Sequence, residues 1–398
     1  MKKDYTNYKK SRISGKESKM FLHTEMPLAG GFLKRGDIDK DKTYPLTLSF
    51  CKESCCVQVN ESINPKILFN RYFYKTGAIK TLTNHLSSSA EKIKLRYKHS
   101  KIADIGCNDF TFLKNFLGES DTLVGVDPSD ISKQNEMTGI SLENTFFNSE
   151  TSDDLINKHG HFDVVFSSNN FAHIEDIQDY TKGIANLLSK NGTFICEVHW
   201  LGTIINKTQF SFIYHEHLYY YTLKSLKYLL SKYGLYINDV DEIDIHGGSI
   251  RIFASKKEKE SKSVRSLLLK EEGMGLYNLS TYKNFAKKIE NLKLKSKKFF
   301  NECKKENKLV VGYGASGQAN TIMSLFDIDK EDLLYIVDDS PLKHGMFTPK
   351  NHIEIKDKKN INKDNPDYIY VLAYTFFDEI KNKNKDIKTT WIKPILEC

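Results

Sequence analysis

No stretch of this chain approaches the roughly 20 apolar residues needed to cross a bilayer, which argues against a membrane-spanning role. The start, Met1 to Lys19, is polar and lysine-rich and lacks the apolar core of a signal peptide, so the expected location is the cytoplasm. Seven cysteines, an odd number, do not make a disulfide framework and fit a reducing compartment better. A basic stripe is also missing. The net charge is +8, but the lysines are mixed with acidic and polar residues, as in Lys256 to Lys262 and Lys283 to Lys298, the pattern of solvated helix faces. Nucleic acid is therefore not an expected partner, and the remaining charge suits a small anionic ligand such as a nucleotide diphosphate.

At 398 residues the chain exceeds one ordinary core and reads as three parts, residues 1–80, 81–255 and 256–398, with no repeat or low-complexity tract between them. The first holds the proline- and glycine-marked Met26–Phe32 (MPLAGGF), a small cysteine cluster and an aromatic run, and reads as irregular. The second alternates short apolar runs with helical stretches. Ile102–Ile105, Thr122–Val126, Phe162–Phe166, Gly192–Val198 and Ser249–Ala254 read as strands of a largely parallel α/β sheet. A lysine-rich helical stretch, about Lys256 to Lys308, leads to a smaller α/β unit with strands at Leu309–Gly312, Leu334–Val337 and Tyr368–Ala373 and a helix after Ser316.

The run Ile102–Ile105 passes directly into Gly106-Cys107-Asn108-Asp109-Phe110 and a helical pattern, Thr111 to Phe116. An α/β sheet exposes its ligand crevice at such a carboxyl edge, and glycine lets a cofactor approach the backbone. The next strand ends in Gly125-Val126-Asp127-Pro128, placing Asp127 about 20 residues after the turn, where an acid binds ribose hydroxyls. The turn is not G-x-G-x-x-G, which weakens a pyrophosphate-binding reading. Phe162 to Ile174 then runs strand, polar turn and helix start, with Asn170 in the turn, where a methyltransferase keeps its fourth motif.

At these residues the chain resembles the class I S-adenosylmethionine (SAM) methyltransferases. Beyond them it resembles the sugar C-methyltransferases that act on dTDP-linked 4-keto-deoxysugars, a three-part family with a zinc-binding N-terminal segment, a SAM domain and a C-terminal Rossmann-like domain. The matching stretches are Met26–Phe32, Tyr72-Phe73-Tyr74, Asp104–Asp109 (DIGCND), Tyr214–His217 (YHEH), His246–Arg251 (HGGSIR), Gly312–Gly317 (GYGASG) and Val337–Gly345 (VDDSPLKHG). The resemblance implies an α/β fold with a class I Rossmann-like core and SAM as cofactor, held by Asp104, Gly106, Asn108, Asp109, Asp127 and Asn170. It implies His217 as base, assisted by Tyr214 and Glu216, with His173 and Tyr74 as further donors to a keto oxygen. On the substrate side it implies a nucleotide-diphosphate sugar, with Lys75, His246, Ser316 and Lys343 as candidate contacts.

Two departures stand out. Phe110 occupies a position where the family usually has glycine, so the cofactor loop is expected to differ locally, unless the Phe110 ring turns outward into the adenine or methionine wall. Where the family has two C-x-x-C pairs, this chain has Ser11 with Ser14 and Cys51 with Ser54. Hydroxyls are poor zinc ligands beside thiolates, and Cys51, Cys55 and Cys56 do not complete a four-ligand set, so bound zinc is not expected. Without the resemblance, YHEH reads as an aromatic turn before Tyr219, Tyr220 and Tyr221. Its histidines sit at i and i+2, outside the H-E-x-x-H pattern. O- or N-methylation of a sugar, and a non-catalytic nucleotide-sugar binder with a decayed cofactor site, stay open.

Overall fold

The structure, a computed structural model, describes residues 4–68, 75–98 and 100–394. Seven strands form the central sheet: β1 (Lys101–Ile105), β2 (Thr122–Val126), β3 (Ser141–Glu143), β4 (Phe162–Ser168), β5 (Leu188–His199), β6 (Tyr236–Ile243) and β7 (Ser249–Ser255). Their order is β6-β7-β5-β4-β1-β2-β3. The pairs from β5 through β3 are parallel, and β7 runs antiparallel to both β5 and β6. Ile102, Ala103, Ile105, Val124, Val126, Val164 and Val165 are buried, so these strands are covered on both faces and read in the sequence as continuous apolar runs. On one face lies helix α1 (Lys80–Arg96). Its Leu82, Leu86, Ala90 and Ile93 recur at helical spacing and pack with Phe110, Phe112, Phe116 and Phe253.

The N-terminal part is not irregular. Strands Lys19–Met26, Tyr44–Cys51 and Cys56–Val59 form an antiparallel sheet, and Tyr219–Tyr220 from the second part adds its fourth strand. The reason is a period-2 pattern, Leu46-Thr47-Leu48-Ser49-Phe50. Leu46, Leu48 and Phe50 pack into a core shared with the third part. On the other face Ser49 donates to Asn60 at 2.6 Å, and Thr47 donates to the Glu61 carboxylate through its N–H at 2.7 Å and its hydroxyl at 2.9 Å.

The lysine-rich stretch forms two helices, Lys262–Gly273 and Leu279–Lys305. Beyond them five parallel strands lie in the order Ile355–Lys356, Ile336–Val337, Val310–Tyr313, Tyr368–Val371, Thr390–Ile392. Helix α2 (Gly317–Phe326) follows Val310–Tyr313 and reaches the second part, where the Thr321 hydroxyl donates to the Ile213 carbonyl at 3.3 Å. The Ser211 hydroxyl likewise bonds Gln318 and Tyr374, each at 3.0 Å.

Candidate active site

The strand order reverses at β1, flanked by β2 on one side and β4 on the other, so the carboxyl ends of these strands leave a crevice. Gly106 sits there with φ 86°, and a Cβ on it would stand 2.9 Å from the Asn170 side chain. Only glycine lets the two turns approach in this way. The Asp127 carboxylate accepts the Asn108 N–H at 3.0 Å and the Ser129 N–H at 2.8 Å. Asn108 accepts the Thr76 N–H at 2.9 Å, and Asp109 accepts the Gly77 N–H at 2.8 Å and the Thr111 hydroxyl at 2.6 Å. Asp104 is buried, and burial, reinforced by Asp127 and Glu197, drives its carboxyl well above the usual range. The glycine cradle, the carboxylate at the strand end and the buried acid beneath fit an adenosyl cofactor.

Phe110 corrects the expectation of an outward ring. It is fully buried, with its ring against Gly125, where a Cβ would meet it at 2.7 Å. Its backbone keeps φ 59°, the left-handed conformation glycine adopts freely, so the loop retains a glycine's shape under a phenylalanine.

The YHEH turn divides its histidines between two tasks. His215 points into the N-terminal sheet, where its Nε2 donates to the Pro45 carbonyl at 3.1 Å, and burial lowers it to about 4. His217 points the other way. Its Nδ1 lies 2.9 Å from the Phe212 carbonyl, which can only accept, so Nδ1 carries the proton. Its Nε2 keeps the lone pair and accepts from the Tyr214 hydroxyl at 3.0 Å. Burial and then His173 hold His217 well below the ordinary histidine value. The His173 ring lies 5.1 Å from that of His217, and its Nδ1 donates to the Glu216 carbonyl at 2.7 Å. Burial raises the half-buried Glu216 carboxyl to about 7. One small volume therefore holds a neutral imidazole with a fixed tautomer and a phenol.

The substrate-side candidates are dispersed. His246 stands on the turn beside this volume with φ 52°, followed by Gly247 and Gly248 at φ 81° and 131°. Cβ atoms on these two glycines would meet Gln209 at 2.6 Å and Thr203 at 2.5 Å, so the turn is seated against them. Ser316 caps α2, its hydroxyl accepting the Ala319 N–H at 3.2 Å. Lys343 donates to the Ala315 carbonyl at 2.6 Å and pairs with Asp338 at 3.3 Å. Exposed Lys75 donates to Asn135 at 2.7 Å. Tyr74 lies outside the described residues.

Two features escaped the sequence reading. His199 donates through Nε2 to the Gln209 side-chain oxygen at 3.1 Å, rests 4.4 Å from the Phe212 ring and is lowered to about 4 by burial. Gln209 also donates to the Gly247 carbonyl at 3.1 Å, joining His199 to the His246 turn. The other feature is a buried ion pair. Glu197 near the end of β5 accepts Arg251 Nε at 2.7 Å, His85 at 3.0 Å and the Ser168 hydroxyl at 2.7 Å. Burial alone would push its carboxyl up, but His85 and Arg251 outweigh that and hold it at about 2. The signal for it was Arg251 in an otherwise apolar strand, since a buried charge needs a partner.

The chain matches three family models in order: a zinc binding domain over residues 12–69, a methyltransferase domain over 78–240 and a C-methyltransferase C-terminal domain over 244–396. It is similar to the C-methyltransferase NovU of Streptomyces niveus, 27% identical over 369 residues, which is 90% of this chain and 88% of that protein. Among solved structures, a SAM-dependent methyltransferase from Anabaena variabilis aligns with 43% of this chain and 83% of its own, at 15% identity and TM-score 0.36. Magnesium protoporphyrin IX methyltransferase from Synechocystis aligns with 44% of this chain and 83% of its own, at 14% identity and TM-score 0.34.

Proposed function

We propose that this SAM-dependent methyltransferase, with its class I Rossmann-like core, is a C-methyltransferase that methylates the carbon next to the keto group of a nucleotide-linked deoxysugar. The observation that carries this reading is the neutral His217, its Nδ1–H fixed on the Phe212 carbonyl and its Nε2 lone pair held toward Tyr214. Methylating a ketone's neighbouring carbon requires a base for its proton and a donor for the oxyanion that results.

SAM, when bound, supplies an electrophilic methyl group on a sulfonium. Asp127 would hold the ribose, Gly106 and Asn170 would line the cradle, and Asn108 and Asp109 would fix the loop through residues 76 and 77. Within the site, Nε2 of His217 takes the α-proton, and the electron pair of the broken C–H bond moves into the enolate. The Tyr214 hydroxyl now covers that lone pair, so the arriving substrate displaces it and frees its O–H for the keto oxygen. His173 is a second donor there, and Glu216, near neutrality, holds a sugar hydroxyl or the proton in transit. Tyr74, His246 and Lys75 are assigned to the sugar side, and Ser316 with Lys343 to the diphosphate.

The test is the product of a keto-sugar nucleotide incubated with SAM and the full chain. A new methyl group bonded to carbon by NMR supports the reading. A methyl on oxygen or nitrogen would replace it with deprotonation of a hydroxyl or amine by His217.

A further inference from the structure

The segment similar to a zinc binding domain is folded as a ligand knuckle but carries the wrong atoms for a metal. Ser11-Arg12-Ile13-Ser14 and Cys51-Lys52-Glu53-Ser54 are two pairs at i, i+3 brought face to face. Ser11 Oγ lies 3.3 Å from Ser54 Oγ, and Ser14 Oγ lies 3.3 Å from Cys51 Sγ. The two atoms of each pair are within hydrogen-bond distance of each other. The hydroxyls are also committed to backbone. Ser11 Oγ accepts the N–H groups of Ile13 and Ser14, each at 3.2 Å, and Ser14 Oγ accepts that of Lys16 at 3.3 Å.

Three of the four positions are neutral hydroxyls, which do not ionise to bind zinc at neutral pH as thiols do. The neighbouring thiols are turned elsewhere. Cys55 donates to the Lys52 carbonyl at 3.4 Å and Cys56 to those of Val57 and Tyr220 at 3.3 and 3.7 Å. Among the described residues no group of three or more His, Cys, Asp or Glu could hold a metal ion.

A second fastening is visible on the outer side of the same loop. Ile13 is fully buried in the core of the catalytic sheet. Its carbonyl accepts from Gln178 and, at 2.9 Å, from Lys232, while the Arg12 carbonyl accepts from Gln178 at 2.8 Å. The Arg12 guanidinium donates to the Val59 and Asn60 carbonyls at 2.6 and 3.2 Å and stacks 4.2 Å from the Tyr8 ring. We infer that Ser11, Ser14, Cys51 and Ser54 form a metal-free knuckle closed by hydrogen bonds, and that docking of Arg12 and Ile13 on the methyltransferase domain does the fastening a structural zinc would do.

The test uses the full-length chain and does not depend on its activity. Elemental analysis of protein expressed with zinc in the medium should find far less than one zinc per chain, and EDTA should leave Tm unchanged. The triple variant Ser11→Cys, Ser14→Cys, Ser54→Cys, with Cys51, should bind one cobalt ion with the absorption of a tetrahedral thiolate site, which wild type does not show. Stoichiometric zinc in wild type, or a Tm that falls with EDTA and returns with zinc, would overturn the inference. So would a triple variant that folds with the wild-type Tm and binds no cobalt, because the four positions would then not converge as a knuckle. Should the triple variant fail to fold, the two wild-type measurements decide the question.

Discussion

The hydroxyl of Tyr214 lies 3.0 Å from Nε2 of His217, across one turn of the same short segment. The pair shares a proton donor and a lone pair, and catalysis needs both at different atoms. Tyr214→Phe leaves the lone pair in place and removes the oxyanion donor, so kcat should fall by about 10²-fold with little change in Tm. His217→Asn removes the base itself and should cost roughly 10²- to 10⁴-fold. Steady-state methyl transfer on the two purified variants checks both, and a Tyr214→Phe enzyme as active as wild type would remove Tyr214 from the chemistry.

Acid sensitivity follows from the buried histidines. His173, His199, His215 and His217 are all lowered by burial, His199 and His215 to about 4. Their folded values lie below the unfolded one near 6.5, so the stability they contribute is intact above that pH and is lost as pH falls toward 4. Each titrating group adds a slope of up to about 1.4 kcal/mol per pH unit. Glu216 has the opposite sign: raised to about 7, it favours the fold below its ordinary value and loses that contribution as pH rises through 7. Asp104 and Glu271 are raised by burial and share the sign of Glu216, and His246 is lowered with the other imidazoles. Five lowered imidazoles outweigh three raised carboxyls, and the urea midpoint should drop between pH 6.5 and 4. A flat profile there would contradict the burial of these rings.

Phe110 fills a core site from a left-handed backbone. Truncation leaves a cavity, a loss of about 3 to 5 kcal/mol for a buried phenylalanine. Phe110→Gly should cost less than Phe110→Ala by about 1 kcal/mol, because glycine relieves the backbone strain that alanine keeps. That reverses the usual ranking in regular structure. Urea denaturation of the pair gives the order directly.

Asp127 is the carboxylate at the crevice, held by the N–H groups of Asn108 and Ser129. Asp127→Ala should weaken SAM binding by tenfold or more, about 1.4 kcal/mol, in calorimetry. Unchanged affinity would move the ribose contact to another residue.

Legibility in the sequence followed burial. Thr122–Val126 was read to the residue, and four more of the seven central strands within a few residues, because buried strands read as continuous apolar runs. Strand β6 was missed because it lies at the sheet edge and carries Asn238, Asp239, Asp241 and Glu242. Short strands such as Ser141–Glu143 and Thr390–Ile392 have too few residues to show a period. The N-terminal sheet had its signal in Leu46 to Phe50, but proline, glycine and cysteines around it suggested loops. The site was legible where residues are contiguous, as in Tyr214 to His217. His199, Gln209, Glu197 and His85 come from separate elements, and only tertiary packing brings them together.

The central claim is that His217 removes a proton from carbon. With a keto-sugar nucleotide, the enzyme and a non-reactive cofactor analogue in D₂O, wild type should exchange the α-proton for deuterium and His217→Ala should not. Exchange that persists at the wild-type rate in His217→Ala, with the variant still folded, would contradict the assignment and place the base elsewhere in the site.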